Sequence, residues 1–318
     1  MKRYMVVIQM IVILSVTALS GCVHENGPQD GEVVNLLITG DYGANRLLQM
    51  QIPYKKDMDV LDVLTASGVE VETMYGGGFV KRIGNMVSEA NGVSGIRKDW
   101  FYYINGIFAD VGFSDYFPQP GENIWWDYHP WKMAQSIAAV IGAYPEPFVH
   151  GYRGEAKDTI IMYAQGNKEG AEKLKAGLEK LGVKKVVVQE PDRGKHAEHD
   201  NPMIIIGEWG QLREYKSLMD WSTNAVKNGA FVSFGDDRLE LYNYSGRMVR
   251  STEDSAGVIA AIGEGSGDES PFWLVTGTNY EGLSYALDTL VNHYDNIQGF
   301  YQAVILSDEI IRLPLMED

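Results

Sequence analysis

The chain has 318 residues, with 43 acidic and 27 basic side chains and a formal net charge of -16 at pH 7. Its length and its hydrophobic fraction of 45% allow two domains with their own cores. Because so acidic a chain repels phosphate backbones, we expect no nucleic acid among its partners.

The N-terminus has the pattern of an export signal. Two basic residues precede an apolar stretch from Met5 to Val16, which is short for a membrane span. The tetrapeptide that ends in Cys22 resembles the lipobox of prokaryotic lipoproteins, in which the cysteine is lipidated and becomes the first residue. Cys22 is also the only cysteine, so no intramolecular disulfide is expected.

These patterns predict a lipoprotein signal peptide at residues 1–22 and a polar tether at 23–31. Acyl chains on Cys22 would hold the protein on the outer face of the cell membrane, in an extracytoplasmic location. The alternative is an ordinary signal peptide with an incidental cysteine.

The first predicted domain spans residues 32–135 and mixes strands with one short helix. Apolar spacing predicts strands at 33–39, 47–52, 69–74 and 80–83, and a helix at 59–64 that Gly68 ends. A hairpin, a helix and then aromatic strands follow one another in the order of a β-grasp-like α+β domain.

Aromatic residues are concentrated in the segment Lys98–Trp131, which contains four of the seven tryptophans. Asn105-Gly106 predicts a two-residue type I′ hairpin, because both residues tolerate a positive φ. Trp125 and Trp126 lie on opposite faces of the next predicted strand, so we expect one in the core and one exposed. The number of rings exceeds what the core of one small sheet needs. It favours an exposed face that binds a large, flat ligand.

Part of this pattern resembles a known family. The residues that carry the resemblance are Gly78-Phe79-Val80, Ile83, Trp100-Phe101-Tyr102-Tyr103, Asn105-Gly106, Gly112-Phe113-Ser114-Asp115-Tyr116, Pro118, Gly121-Glu122 and Trp131. Together they resemble the bacterial and archaeal transcobalamin-like C-terminal domain family, and they are similar to the β-domain of transcobalamin and intrinsic factor. In those animal carriers the domain closes over one face of cobalamin while a helical barrel holds the other. This sequence has no such barrel.

The resemblance implies that cobalamin or a related corrinoid is the ligand and that a vitamin transporter is a partner. The predicted ligand-binding residues are Tyr75, Gly77, Phe79, Trp100, Tyr102, Tyr103, Asn105, Asp115, Tyr116, Trp125, Trp126, Tyr128 and Trp131. Aromatic rings with scattered hydroxyl, indole and amide groups suit a corrin ring fringed with amides. Each position also has a structural interpretation, as a core ring or as a turn residue.

His129 follows the aromatic strand and is a weak candidate for the axial ligand of cobalt. The competing interpretation is a solvent-exposed histidine at the end of a strand.

Residues 136–154 are predicted to be a linker, and residues 155–318 an α/β domain with a mostly parallel sheet. Its predicted strands are 158–163, 185–189, 203–207, 230–234, 272–276 and 303–307, and its predicted helices are 169–181, 212–226, 254–262 and 280–293. The strand–Gly-Thr–helix pattern near Gly277 is similar to domains of archaeal surface-layer proteins.

No catalytic residue or catalytic cofactor is predicted, because we find no nucleophile elbow and no catalytic carboxylate pair. His196 and His199 are weak metal-binding candidates in a polar loop, where a solvated turn is the simpler interpretation. We therefore expect a corrinoid-binding lipoprotein rather than an enzyme. The alternatives are a cell-surface interaction or scaffold protein that binds protein or glycan, and a hydrolytic or metal-dependent enzyme in the second domain.

Overall fold

The structure, a computed structural model, describes residues 32–74, 78–89, 97–131, 137–191 and 200–316. The predicted signal peptide, tether and lipidation site lie outside these residues. None of the helices in the five described segments has both the length and the apolar character that crossing a bilayer requires.

The first half of the chain builds two sheets and one helix. Its elements are β1 (Val33–Gly40), β2 (Asn45–Pro53), α1 (Val60–Ala66), β3 (Val71–Met74), β4 (Phe79–Ile83), β5 (Met86–Val87), β6 (Lys98–Ile104), β7 (Ile107–Phe108) and β8 (Asn123–Pro130). Five strands form a sheet in the order β2-β1-β8-β6-β7, in which β1 and β8 are parallel and the other pairs are antiparallel. β3, β4 and β5 form a separate antiparallel sheet.

Local sequence signals account well for these elements. Asp59 caps α1 in a reciprocal capping box with Asp62, and the buried face of the helix packs toward the five-stranded sheet. The turn between β6 and β7 has φ of 51° at Asn105 and 77° at Gly106, so the predicted type I′ hairpin is confirmed.

The second half is organised around a seven-stranded sheet. Its elements are β9 (Thr159–Tyr163), α2 (Lys168–Lys180), β10 (Val186–Gln189), β11 (Met203–Glu208), α3 (Trp209–Leu212), α4 (Lys216–Thr223), β12 (Val232–Phe234), β13 (Leu239–Tyr242), β14 (Met248–Thr252), β15 (Gly257–Ile262), β16 (Phe272–Gly277), α5 (Tyr280–Asn292), β17 (Gln302–Ile305) and β18 (Ile310–Leu313). The large sheet has the order β10-β9-β11-β16-β15-β17-β18. Its first three pairings are parallel and its last three antiparallel, so the sheet is mixed and not mostly parallel as predicted. The chain as a whole is a mixed α+β protein with more strand than helix.

The prediction of a helix at 254–262 is wrong, because most of this segment is strand β15 in the interior of the sheet. Its sequence is a short run of apolar residues that lies between two other strands. Such a run is buried on both faces and has no alternation, so periodicity alone does not distinguish it from a buried helix.

The segment predicted to be a linker is largely buried and bonds to both halves of the chain. Ile137 and Val140 join a hydrophobic core that also contains Tyr103 of the first half and Tyr301 of the second. The Val140 N–H donates to the Gly106 carbonyl, and the Ile141 N–H donates to the Tyr301 carbonyl. The described residues from Glu32 onward accordingly form one compact unit.

A backbone contact between the halves gives a stability prediction. Gly43, in the β1–β2 turn, has φ of 78°, and a Cβ there would lie 1.8 Å from the Gly299 carbonyl oxygen. We expect Gly43→Ala to lower the free energy of unfolding by about 3 kcal/mol, because left-handed strain adds to a backbone clash. Urea denaturation of the purified chain measures the change.

Gly68 is the matched control for that variant. It has the same φ of 78°, but a Cβ there would meet nothing within 4 Å. Gly68→Ala should therefore cost only the conformational strain, about 1 kcal/mol. Equal costs for the two variants would contradict close packing between Gly43 and Gly299.

Candidate functional site

The aromatic residues predicted to bind the ligand lie in the interior, on both faces of the five-stranded sheet. Trp100, Tyr102, Trp126 and Tyr128 point toward α1 and its core, whereas Tyr103 and Trp125 pack against the second half of the chain. All six are less than one-tenth exposed. The expectation of an exposed aromatic face is therefore wrong for these rings, and neither Trp125 nor Trp126 is exposed. The reason is that α1 and its core cover one face of the sheet and the second half of the chain covers the other. Strand alternation does not reveal either of these covering layers.

The remaining predicted contact residues are scattered. Phe79 and Trp131 are partly buried, and the Arg97 guanidinium lies 5.1 Å from the ring centroid of Trp131. Asp115 is exposed. Asn105 and Tyr116 are buried, and Tyr75 and Gly77 fall outside the described residues. The members of this set that the structure describes thus form no open surface together.

Three residues of the family-like pattern instead form a buried polar network. The fully buried Glu122 carboxylate accepts hydrogen bonds from the Tyr116 hydroxyl at 2.9 Å and from Asn105 Nδ2 at 3.1 Å. Asn105 Nδ2 also donates to the Gly151 carbonyl, and Asn105 Oδ1 accepts from the Asn123 N–H. Burial raises the pKa of Glu122, because the charged form loses its hydration there. These residues fix the turns at the end of the sheet and tie them to the segment that follows.

A second buried carboxylate in this region, that of Glu146, pairs with His150 and makes the free energy of unfolding depend on pH. Glu146 is buried and binds the His150 ring through Nδ1, and this hydrogen bond raises the pKa of His150 above its ordinary value of 6.5. A raised folded-state pKa contributes stability that is complete below the unfolded-state value and is lost as pH rises through the folded-state value. We therefore expect the wild type to lose stability relative to His150→Gln as pH rises from about 6.5.

Chemical denaturation at pH 5.5, 7 and 8.5 tests this difference. His293→Gln is the control, because His293 is well exposed and lies 3.5 Å from an exposed aspartate. A difference between wild type and His150→Gln that does not change with pH would contradict the stabilising pair.

Asp127 and His129 form a buried pair between the two halves of the chain. His129 is 2% exposed, its Nδ1 lies 2.6 Å from Asp127 Oδ2, and its ring stacks between Tyr42 and Phe101. This corrects the expectation of a solvent-exposed strand end, and it leaves no approach for a cobalt ion to His129.

The other metal candidates, His196 and His199, lie outside the described residues. Within those residues no group of three or more potential ligand side chains is placed to hold a metal ion.

Sequence reasoning missed Asp127, which accepts more hydrogen bonds than any predicted site residue. Its carboxylate accepts from the N–H groups of Tyr42 and Gly43, from the Thr39 hydroxyl and from His129. The available signal was an aspartate within an aromatic strand, because a charge in a buried strand requires dedicated partners.

An open cleft lies beside the aromatic core, on the face of the five-stranded sheet that meets the second half. Its volume is about 740 Å³, within the range of about 300–1,000 Å³ that is typical of ligand sites. We call it the amide cleft, after the side chains on its floor. The floor residues are Asn35, Leu37, Gln49, Gln51, Asn123 and Trp125, and the opposite wall is formed by residues 142–145 with Tyr294, Asp295 and Gln298.

Strand register places the floor residues in two rows across β2, β1 and β8. One row is Gln51, Asn35 and Asn123, and the next is Gln49, Leu37 and Trp125. The first row therefore presents three primary amides side by side, and each amide both donates and accepts hydrogen bonds. Such a floor suits a ligand that carries several neutral polar groups.

A second crevice lies at the carboxyl ends of parallel strands β9 and β11. β9 leads into α2, and β11 leads into α3. The buried residues of these two helices belong to two different hydrophobic cores. Open α/β sheets commonly bind ligands at such a point. The crevice has a volume of about 620 Å³ and is lined in part by Tyr163, Gln165 and Gln211.

Sequence comparison supports the family-like pattern over part of the chain. Residues 57–130 match the family described as "Domain of unknown function (DUF4430)", which is loosely associated with transcobalamin-like domains. The match covers just under a quarter of the chain and extends from α1 to β8. No curated protein matches the chain.

Proposed function

We propose that this chain is a membrane-anchored, extracytoplasmic binding lipoprotein that captures cobalamin or a related corrinoid for uptake. Three observations support the proposal: the lipobox-like sequence at Cys22, the family match at residues 57–130, and the open cleft beside the matched strands. In this proposal the protein binds and releases its ligand, and it makes or breaks no covalent bond.

A finer description of the fold belongs to the same proposal. We infer that residues 32–135 are a transcobalamin-like, β-grasp-like module, and that residues 155–318 are an α/β module that meets a transporter or another surface partner. The hairpin β1–β2, the single helix on one sheet face and the parallel pairing of β1 with β8 support the first part. The parallel strands β9, β10, β11 and β16 support the second.

The amide cleft is the single observation that carries the ligand assignment. Because the aromatic rings are interior, a corrinoid has to bind where the sheet is open, and the cleft is open beside Trp125. A corrin has an apolar ring system with amides at its periphery. The floor offers the complementary surface, since Leu37 lies next to a row of three amides.

Titration of the purified chain with cobalamin and cobinamide, followed by absorbance and calorimetry, tests the proposal. We expect saturable binding by the wild type. We expect Gln49→Trp to bind at least tenfold more weakly, a loss of about 1.4 kcal/mol of binding free energy. The reason is that an indole on the edge strand β2 would fill the cleft. Val187→Trp is the control, since Val187 is exposed on the edge strand β10, away from the cleft. Absence of binding to either corrinoid would rule out the proposed ligand class.

A second candidate function is a cell-surface interaction or scaffold protein that binds protein or glycan. It is favoured by β2, a nine-residue edge strand with two exposed apolar side chains, Leu47 and Met50. Edge strands present unpaired backbone groups to which another chain can add. If corrinoids fail to bind, two experiments distinguish the remaining possibilities. A glycan array tests sugar binding through the cleft, and the Leu47→Lys variant tests protein binding through β2.

A further inference from the structure

The amide cleft has an unusual charge distribution for a polar site. Its described lining contains no lysine, arginine or histidine, and its one charged side chain is the exposed Asp295. One cation lies at the edge of the cleft, because Arg46 Nη2 donates to the carbonyl of the wall residue Gln298 at 3.4 Å. The side chains that line the cleft therefore present neutral amides and one negative charge, while the Arg46 guanidinium is engaged by a backbone carbonyl at the edge.

The floor amides have hydrogen-bonding capacity that the protein does not use. Among the described residues, the Asn123 and Gln49 side chains make no hydrogen bond to protein, and Gln51 makes one, to Asn35 Oδ1 at 3.2 Å. Asn123 is half-buried, so its amide needs a partner from solvent or ligand. The row is thus open for pairing, and Asn35 is held in place by its donation to the Gly121 carbonyl.

Amide chemistry decides which ligand groups fit such a row. A carboxamide on the ligand can donate to an amide oxygen and accept from an amide N–H at the same time, which satisfies both partners. A carboxylate only accepts, so it leaves the protein's amide oxygens without a donor. It also brings a negative charge into the same cleft as Asp295, within a chain whose net charge is -16.

We propose that the amide cleft selects uncharged, carboxamide-bearing ligands and rejects their carboxylate counterparts. The inference rests on the proposed function and names the specificity of the same site. Asn123 and Gln49 read the amide groups of the ligand, and Asp295 excludes the charged acid. For a corrinoid ligand, this means that the intact peripheral amides, and not their hydrolysis products, are recognised.

Competition binding on the full chain in detergent tests the selection. The probes are cobalamin and its monocarboxylate derivatives, in which one peripheral amide has been hydrolysed. We expect the acids to bind at least about tenfold more weakly at pH 7 and low salt, and the difference to shrink in high salt because ions screen the charge of the acid. Equal affinity of amide and acid would overturn the inference and leave the proposed function standing.

A charge-reversal variant separates selection from a general loss of affinity. Asp295 is exposed, so Asp295→Lys should fold normally, and it should bind the acids at least as well as the amide. If Asp295→Lys keeps the wild-type preference, the charge assignment is wrong. If neither the wild type nor the variant binds any of these corrinoids, the proposed function fails, and the inference fails with it.

Discussion

We expect Asp127→Ala to lower the free energy of unfolding by about 3–5 kcal/mol, because the substitution leaves several buried donors without an acceptor. The Asp127 carboxylate accepts from Tyr42 N at 3.0 Å and Gly43 N at 2.9 Å, and it also binds His129. The Thr39 hydroxyl, which also donates to Asp127, accepts from Trp125 Nε1 at 2.7 Å. Urea denaturation followed by tryptophan fluorescence measures the loss.

The control for this variant is Asp115→Ala. Asp115 lies in the same half of the chain but is exposed, so its removal should change stability by no more than about 0.5 kcal/mol. Similar small effects for both variants would contradict the assignment of Asp127 as the acceptor that holds the β1–β2 turn to β8.

Trp126→Ala is expected to cost about 3–5 kcal/mol of stability, because it removes a large buried ring from a packed core. Trp126 is 2% exposed, stacks on Tyr102 with ring centroids 4.8 Å apart, and meets the edge of Phe113. Thermal denaturation in the absence of ligand measures the effect, since a core residue destabilises the free protein.

Phe117→Ala is the matched comparison, because Phe117 is 52% exposed in the same region. We expect its removal to change stability by no more than about 0.5 kcal/mol. A Trp126→Ala protein that is as stable as wild type but no longer binds corrinoid would show that the ring is a ligand contact and not a core residue.

Local structure was largely predictable from the sequence. The hairpin β1–β2, the capped helix α1 and the Asn105-Gly106 turn depend on neighbouring residues, and their signals lie within a few positions of one another. β15 was not predictable in this way. Its identity as a strand depends on the distant strands on either side of it, and periodicity within the segment does not record them.

The candidate site was less predictable, for a similar reason. Alternation along the aromatic segment predicts rings on both faces of the sheet, but it does not show that Tyr301 and its neighbours cover the second face. The amide cleft combines Gln49 and Asn123, which are far apart in sequence and individually unremarkable for strands. Only the register of β2, β1 and β8 brings them together.

The family-like pattern has a structural explanation that does not depend on a ligand. Asn105, Tyr116 and Glu122 form one buried network, and it closes the turns at one end of the sheet. A pattern of this kind preserves the scaffold, while in our proposal the ligand contacts come from residues outside it, such as Gln49 and Asp295. A resemblance over residues 57–130 therefore supports the architecture more strongly than the identity of the ligand.

Hydrogen–deuterium exchange of the full chain with and without cobalamin tests most directly whether the amide cleft is the ligand site. We expect cobalamin to slow exchange in the peptides that cover residues 49–51, 123–125, 142–145 and 294–298, and to leave the distant strand β10 unchanged. Binding that protects β3 to β5 but not the cleft, or that protects no peptide of the cleft, would contradict the account.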